Sequence, residues 1–108
     1  MAKRITAVDY MAHLIEQAGW HWDAYQPPGS AGNPATRRLA VEVTQAEVAT
    51  VVKRLTELAT QIKHEQTRVA LLNILLNETQ IETYGAYCCL YWPSLYLDSL
   101  AEVNPFAT

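Results

Sequence analysis

Three side chains of the kind that bind metal ions recur near the start of the chain at helical spacing. Asp9, His13 and Glu16 are separated by four and then three residues, so on a helix they lie along one edge. Two carboxylates and an imidazole suit zinc, iron or manganese. No Glu-x-x-His or His-Glu-x-x-His motif accompanies them. A metal-dependent enzyme is therefore one hypothesis, but a solvated helix edge explains the same residues, and the sequence predicts no cofactor.

Tryptophans and tyrosines form a second group of candidates, clustered at two places in a chain that has one phenylalanine. These side chains combine a large apolar area with a polar tip, which suits an interface or a ligand pocket better than a dry core. Helical spacing would nevertheless place most of them in the core. The predicted binding residues are Trp20, Trp22, Tyr25, Tyr84, Tyr87, Tyr91 and Trp92.

Cys88 and Cys89 are the candidate nucleophiles. A reactive thiolate needs a base beside it, and none of the three histidines has a recognisable local signature. Adjacent cysteines close a disulfide only with strain, so we expect reduced thiols packed as small core residues. Reduced thiols agree with a cytoplasmic protein. The sequence therefore favours a non-enzymatic protein over an enzyme.

The totals predict one folded domain, 1–108, because 50% of the 108 residues are hydrophobic and 18% are charged. No window approaches the roughly 18 apolar residues of a membrane span, and polar residues interrupt any secretory leader. We therefore expect a cytoplasmic protein with no membrane partner. The net charge of −3, with no lysine or arginine after Arg68, argues against nucleic-acid binding.

The elements that must position these candidates are predicted around the stretch 44–77. Thr44 and Glu47 form a capping box at its start. An apolar row then repeats every seven residues at Val48, Leu55, Ile62, Val69 and Leu76. These features predict one helix over 45–77, in preference to two shorter helices broken at the polar run 63–67.

One residue breaks the apolar stripe of this helix. Glu65 stands in a row that is otherwise apolar, and a buried unpaired carboxylate is costly. With His64 it is predicted to form a polar notch in the packing. After Arg68 the helix is apolar nearly all round, more than so small a chain can cover. We therefore expect a homodimer packed at the C-terminal end of the helix.

Three other segments precede this helix. The apolar spacing over 7–18, with Gly19 as a cap, predicts a first helix. The proline- and glycine-rich stretch 20–36 is typical of a long surface loop. Arg38 to Val43 alternates apolar and polar residues, which indicates an extended arm or a short strand without an evident partner.

The C-terminal third allows two interpretations. Apolar steps of three and four predict a helix over 79–91 that Pro93 stops, followed by a last helix over 94–103. The β-prone run YCCLYW instead favours a strand, which would pair with Arg38 to Val43. We assign helices here.

The predicted fold is all-α, a small helical bundle organised on one long central helix. The predicted function is a small protein-interaction module, such as an adaptor, inhibitor or assembly factor, acting through the aromatic loop and the tyrosine-rich helix. The alternative is a small-molecule binding module with an aromatic-lined pocket, and the third hypothesis is the metal-dependent enzyme.

Overall fold

The computed structural model describes residues 7–26 and 37–96, and these form a mixed α/β fold rather than the predicted all-α bundle. The described elements in chain order are α1 (Ala7–Gln17), β1 (Trp22–Tyr25), β2 (Arg38–Thr44), α2 (Val48–Thr60), α3 (Glu65–Asn77), β3 (Gln80–Tyr84) and β4 (Tyr87–Tyr96). The four strands make one antiparallel sheet in the order β1-β2-β4-β3. None of the described helices is long and apolar enough to span a membrane.

The helices pack on one face of this sheet. Successive strand residues point to opposite faces, so Leu39, Val41 and Val43 of β2 share the face that meets the helices. The core there also contains Met11, Leu14 and Ile15 of α1, Val51, Leu55 and Ala59 of α2, Leu71, Ile74 and Leu75 of α3, and Leu90, Trp92 and Leu95 of β4. We call this side of the sheet the covered face and the other side the open face.

The hairpin of β3 and β4 overturns the helix predicted over 79–91. Gly85 has φ 62° and stands first of the two residues that join the strands, a position that suits glycine in a two-residue hairpin. β4 pairs on its other side with β2, with Val41 opposite Leu90 and Val43 opposite Cys88. This is the strand pairing that the sequence offered as the alternative. Tyrosines and cysteines on both faces of β4 had imitated helical steps.

Pro93 lies inside β4 and does not end an element. The pairing with β2 shifts register between Arg38 and Ala40, which is the irregularity that accommodates a proline in a strand. Arg38 Nε donates to the Pro93 carbonyl oxygen at 3.1 Å. The helix predicted over 94–103 is therefore wrong where it is described, because β4 continues to Tyr96, and its remainder, 97–103, lies outside the described residues.

The long helix predicted over 45–77 is two helices, α2 and α3. His64 has extended backbone angles (φ −74°, ψ 116°) and caps α3, its Nδ1 accepting the Thr67 N–H at 3.3 Å. Arg68 Nη1 donates to the Ile62 carbonyl at 3.0 Å, which satisfies an acceptor left free in the turn. The polar run 63–67 therefore contains a capped turn between two helices. The seven-residue spacing from Ile62 to Val69 continues across this turn only by chance.

The break also explains Glu65. It is the first residue of α3 and is exposed, where a carboxylate interacts favourably with the helix dipole. The notch predicted at His64 and Glu65 is thus a turn between helices. The buried side of α3 consists of Thr67, Leu71, Ile74 and Leu75. The two residues of the predicted apolar row that lie on α3 are therefore turned outward, with Val69 56% and Leu76 83% exposed, whereas Leu55 of α2 is fully buried.

The start of α2 and the segment before it follow the sequence more closely. The capping box is confirmed, since Glu47 Oε1 accepts from the Thr44 N–H at 3.0 Å, and a 3-10 turn over Gln45–Glu47 leads into α2. β1 occupies part of the predicted loop 20–36, and residues 27–36 lie outside the described residues. The predicted arm Arg38 to Val43 is a strand with two partners, β1 and β4.

Candidate functional site

A pocket of about 560 Å³ lies on the open face of the sheet. Its lining residues come from all four strands and the residue before β1: His21, Asp23, Ala24, Tyr25, Ala40, Glu42, Tyr84 and Cys89. Ala40 and Cys89 are the buried members, with 4% and 8% of their surface exposed. These small side chains belong to the two central strands and form the floor.

The sheet register sets out the polar groups of the open face in a row. Glu42 of β2 stands opposite Cys89 of β4, and Cys89 stands opposite Glu82 of β3. Continuing the β1–β2 pairing by one residue beyond Trp22 and Val41 places His21 beside Glu42. The row therefore carries an imidazole and two carboxylates with a thiol between the carboxylates.

Tyr25 links the two edge strands of the sheet. Its hydroxyl, carried on β1, donates to Glu82 Oε2 on β3, and the Tyr84 hydroxyl donates to the same oxygen. The two tyrosine oxygens are 3.2 Å apart. In a flat sheet the edge strands would be about 14 Å apart, farther than one tyrosine reaches, so the open face must be concave. We call these three residues the tyrosine–glutamate bridge.

The ring of Tyr25 is held from below by Tyr91 of β4. The two ring centroids are 4.9 Å apart and the planes are inclined at 35°, within the range of favourable aromatic pairs. One side of the Tyr25 ring is thus packed against protein while the residue also lines the pocket. The pair fixes where Tyr25 lies above the central strands.

The bridge and its surroundings have a net negative field. The two hydroxyl donors lower the pKa of the Glu82 carboxyl, Tyr25 before Tyr84, so it is a carboxylate at neutral pH. Burial, followed by the bond to Glu82, raises the pKa of Tyr25, and the bond to Glu82 raises that of Tyr84. Both tyrosines are therefore neutral donors.

Cys89 responds to the same field. Burial, and then the charges of Glu82 and Glu42, raise its pKa to about 11. The thiolate fraction at neutral pH is consequently very small, which is the opposite of what a nucleophilic cysteine requires. Cys89 serves the pocket as a small, neutral floor residue.

The structure divides the predicted aromatic residues between the two faces. Trp92 is fully buried on the covered face, where its Nε1 donates to Thr79 Oγ1 at 2.9 Å. Trp20 and Trp22 pack partly buried against the core. On the open face, Tyr25 and Tyr84 line the pocket and Tyr91 supports Tyr25, whereas Tyr87 lies beside Thr44 and Tyr84 in the register and is 53% exposed.

The three predicted metal ligands remain on α1, apart from the pocket. Asp9, His13 and Glu16 are all exposed, and Glu16 Oε2 accepts from Trp22 Nε1 at 2.8 Å. Throughout residues 7–26 and 37–96, no group of three or more histidine, cysteine, aspartate or glutamate side chains could hold a metal ion. Glu16 instead ties β1 to α1.

His13 and His64 meet at a second opening, of about 490 Å³, between α1 and the turn that joins α2 to α3. Lys63, Gln17 and Gln61 line it with Tyr10. His64 is already engaged as the cap of α3, with its Nδ1 2.8 Å from Thr67 Oγ1. The lining mixes cationic and neutral groups without a buried charge.

Sequence reasoning missed the floor and the charged wall of the pocket. Ala40 and Glu42 are the intervening residues of the alternating stretch Arg38 to Val43, and Cys89 is adjacent to Leu90. Had YCCLYW been assigned as a strand, alternation alone would have put Cys89 and Tyr91 on one face. The contact between Tyr25 and Glu82, 57 residues apart, left no signal in the sequence.

No protein-family model, curated protein or solved structure matches this chain.

Proposed function

We propose that this protein is a small-molecule binding module whose site is the open-face pocket. The observation that carries the proposal is a concave sheet face on which tyrosine rings and carboxylates from different strands surround a floor of Ala40 and Cys89. We prefer this function, which was the alternative in the sequence analysis, to the protein-interaction module because the tyrosines converge on a cavity.

The dimensions and chemistry of the pocket support this proposal. A volume of about 560 Å³ lies within the range of ordinary ligand sites. Such sites combine apolar and aromatic surface with a few directional polar groups, and here the carboxylates of Asp23 and Glu42 line the same pocket as the ring of Tyr25. The bridge between Tyr25 and Glu82 holds the edge strands together, so the pocket is formed before a ligand binds.

Binding, rather than catalysis, is the function that the pocket chemistry favours. The raised pKa of Cys89 keeps its thiol protonated, and the carboxyl of Glu82 is held in its charged form by two hydroxyl donors. Neither group is thereby prepared to accept or donate a proton near neutral pH.

An NMR titration tests the proposal. A mixed panel of small anionic, neutral and cationic compounds is added to labelled protein, and the amide shifts of Ala40, Glu42 and Cys89 are followed. At least one compound should shift these amides in a saturable way while leaving His13 and Gln61, at the second opening, unchanged. Absence of any saturable open-face shift across the panel would refute the proposal.

A pocket-filling variant supplies the control. Ala40→Leu adds three carbon atoms at the floor and should weaken binding of any compound found, by about tenfold or more. Ala49→Leu makes the same change at an exposed position of α2 and should bind like the parent protein. Equal loss of binding in both variants would contradict the assigned location.

We also propose that the chain forms the homodimer expected from the sequence, through the outer side of α3. The support is an apolar stripe on α3 in which Val69 is 56% and Leu76 83% exposed and Leu72 is partly buried. Ile81 of β3 is a further exposed apolar side chain, at 50%. Sedimentation velocity at micromolar concentration should give a dimer, and Leu76→Lys should give a monomer. A folded monomer of the parent protein would exclude this dimer.

Cytoplasmic location remains a proposal, which Cys88 and Cys89 support. Both are free and buried, and their side chains lie on opposite faces of β4, so they are not placed to form a disulfide with each other. Free thiols are usual in a reducing compartment.

A further inference from the structure

We infer that the open-face pocket takes an organic cation, a ligand carrying a primary or methylated ammonium group. This inference rests on the proposed binding function and specifies its ligand class. It is carried by the juxtaposition, in one concave pocket, of carboxylates and tyrosine rings.

The charged side chains around the pocket are mainly acidic. Asp23 and Glu42 line it, and Glu82 stands at its edge in the bridge, bonded to the two lining tyrosines. No lysine or arginine belongs to the lining among the described residues. Carboxylates on several sides of a concave surface focus a negative potential into it, which raises the local concentration of cations.

Arg38 is the described cation nearest to Tyr25 in the register, and it does not belong to the pocket lining. It pairs with Tyr25 at the end of β1, and its Nε is bonded to the Pro93 carbonyl at the irregular end of β4. His21, the other basic residue, is a single imidazole beside Glu42.

Two tyrosine rings line the pocket, and the hydroxyls of both are bonded to a carboxylate. Ring faces carry negative charge density and attract ammonium ions, most strongly where water is displaced. The ring of Tyr25 is fixed against Tyr91, and it lines the pocket together with Tyr84. Both hydroxyls donate to the Glu82 carboxylate, which pushes electron density into the rings and strengthens their attraction for a cation.

The floor of the pocket contains no cationic side chain. Ala40 and Cys89 are small and neutral, so a ligand can approach the backbone of the central strands without meeting a competing cation. Burial is the largest cause of the raised pKa of Cys89, and the charges of Glu82 and Glu42 raise it further because their field opposes a thiolate at this point. The same field that opposes a thiolate there favours an ammonium group.

Two pairs of probes of nearly equal shape test the inference. Choline is compared with 3,3-dimethylbutan-1-ol, its neutral carbon isostere, and butylammonium with 1-butanol, using the open-face amide shifts and calorimetry at low salt. Each cation should bind about tenfold more tightly than its neutral partner. The inference is overturned if neither cation binds more tightly than its neutral partner.

The outcomes separate this inference from the proposed function. If neutral or anionic compounds shift the open-face amides and the cations do not, the ligand class is wrong and the binding function stands. If no compound of the earlier panel or of these pairs shifts them, both are wrong. Shifts that appear at His13 and Gln61 instead would place cation binding at the second opening and would also overturn the inference.

Charge variants give an independent readout. Glu42→Gln, which preserves the shape of the side chain, should weaken the preferred cation several-fold and leave the affinity of its neutral isostere unchanged. Glu57→Gln removes the same charge from an exposed position of α2 and serves as the matched control. Tyr25→Leu should weaken the cation more than Tyr25→Phe does, because phenylalanine keeps the ring. Equal effects of Glu42→Gln and Glu57→Gln would contradict the assignment.

Discussion

The covered and open faces of the sheet are built by the same strands and do different work. In β2, Val41 points to the helices and has no exposed surface, whereas Glu42, the next residue, points to the pocket and is exposed. In β4, Leu90 packs into the core while Cys89 forms the pocket floor. The apolar contacts that stabilise the fold therefore lie on the covered face. The open face can carry charged side chains and tyrosines that a dry core would not accommodate.

The largest expected difference between the faces is in the free energy of unfolding, when neighbouring residues of β4 are truncated to alanine. Leu90→Ala removes a fully buried side chain from the core and should lower the free energy of unfolding by about 2 to 5 kcal/mol. Cys89→Ala, at the pocket floor, should lower it by under about 1 kcal/mol. Denaturant unfolding of both variants measures this. Comparable losses would mean that the open face contributes to the core.

The two cysteines provide a second comparison, through their reactivity. Because the pKa of Cys89 is about 11, its alkylation in Cys88→Ser protein should keep accelerating as the pH rises from 8 to 10. Glu42→Gln should raise the rate at pH 8, since a charge that disfavours the thiolate is removed. Cys88, buried on the covered face, should react in Cys89→Ser protein only as the fold opens. Stopped alkylation followed by mass spectrometry measures both rates.

The smallest expected effect is a pH dependence of the free energy of unfolding, which arises from Glu82 of the tyrosine–glutamate bridge on the open face. The pKa of Glu82 is lowered in the folded state, so its contribution to stability is present above the unfolded pKa of about 4.3 and is lost as the pH falls through the folded value. The parent protein should therefore be more stable than Glu82→Gln at pH 6, with the difference shrinking below pH 4. A difference that grows with acid would reverse the assigned sign.

Some elements could be predicted from the sequence and others could not. The periodicity of 7–18 and the Thr44–Glu47 box describe local interactions, and α1 and the start of α2 lie where these signals place them. The break between α2 and α3 at His64 was not predicted because the apolar spacing continues across it. In addition, histidine is not among the residues that usually cap a helix. The tyrosine-rich segment was missed for a similar reason, since residues on both faces of a strand can imitate helical steps.

The candidate site was predicted only in part. The tyrosines were singled out by type, and Tyr25, Tyr84 and Tyr91 do converge on the open face. Glu42 and Glu82 were not singled out, and Cys89 was considered only as a nucleophile or a core residue, because a carboxylate or thiol acquires a role in a pocket only from its neighbours across the strands.

The sequence by itself determined the local patterns of this protein: an amphipathic first helix, a capped second one, an alternating strand and an unusual supply of tyrosine. Only the tertiary structure decided whether the tyrosine-rich segment forms a helix or strands. It also decided that the sheet curves enough for Tyr25 on one edge strand to bond Glu82 on the other. The physical reason is range. Caps and periodicity act within a few residues, whereas strand pairing, sheet curvature and a shared carboxylate depend on residues that are distant along the chain.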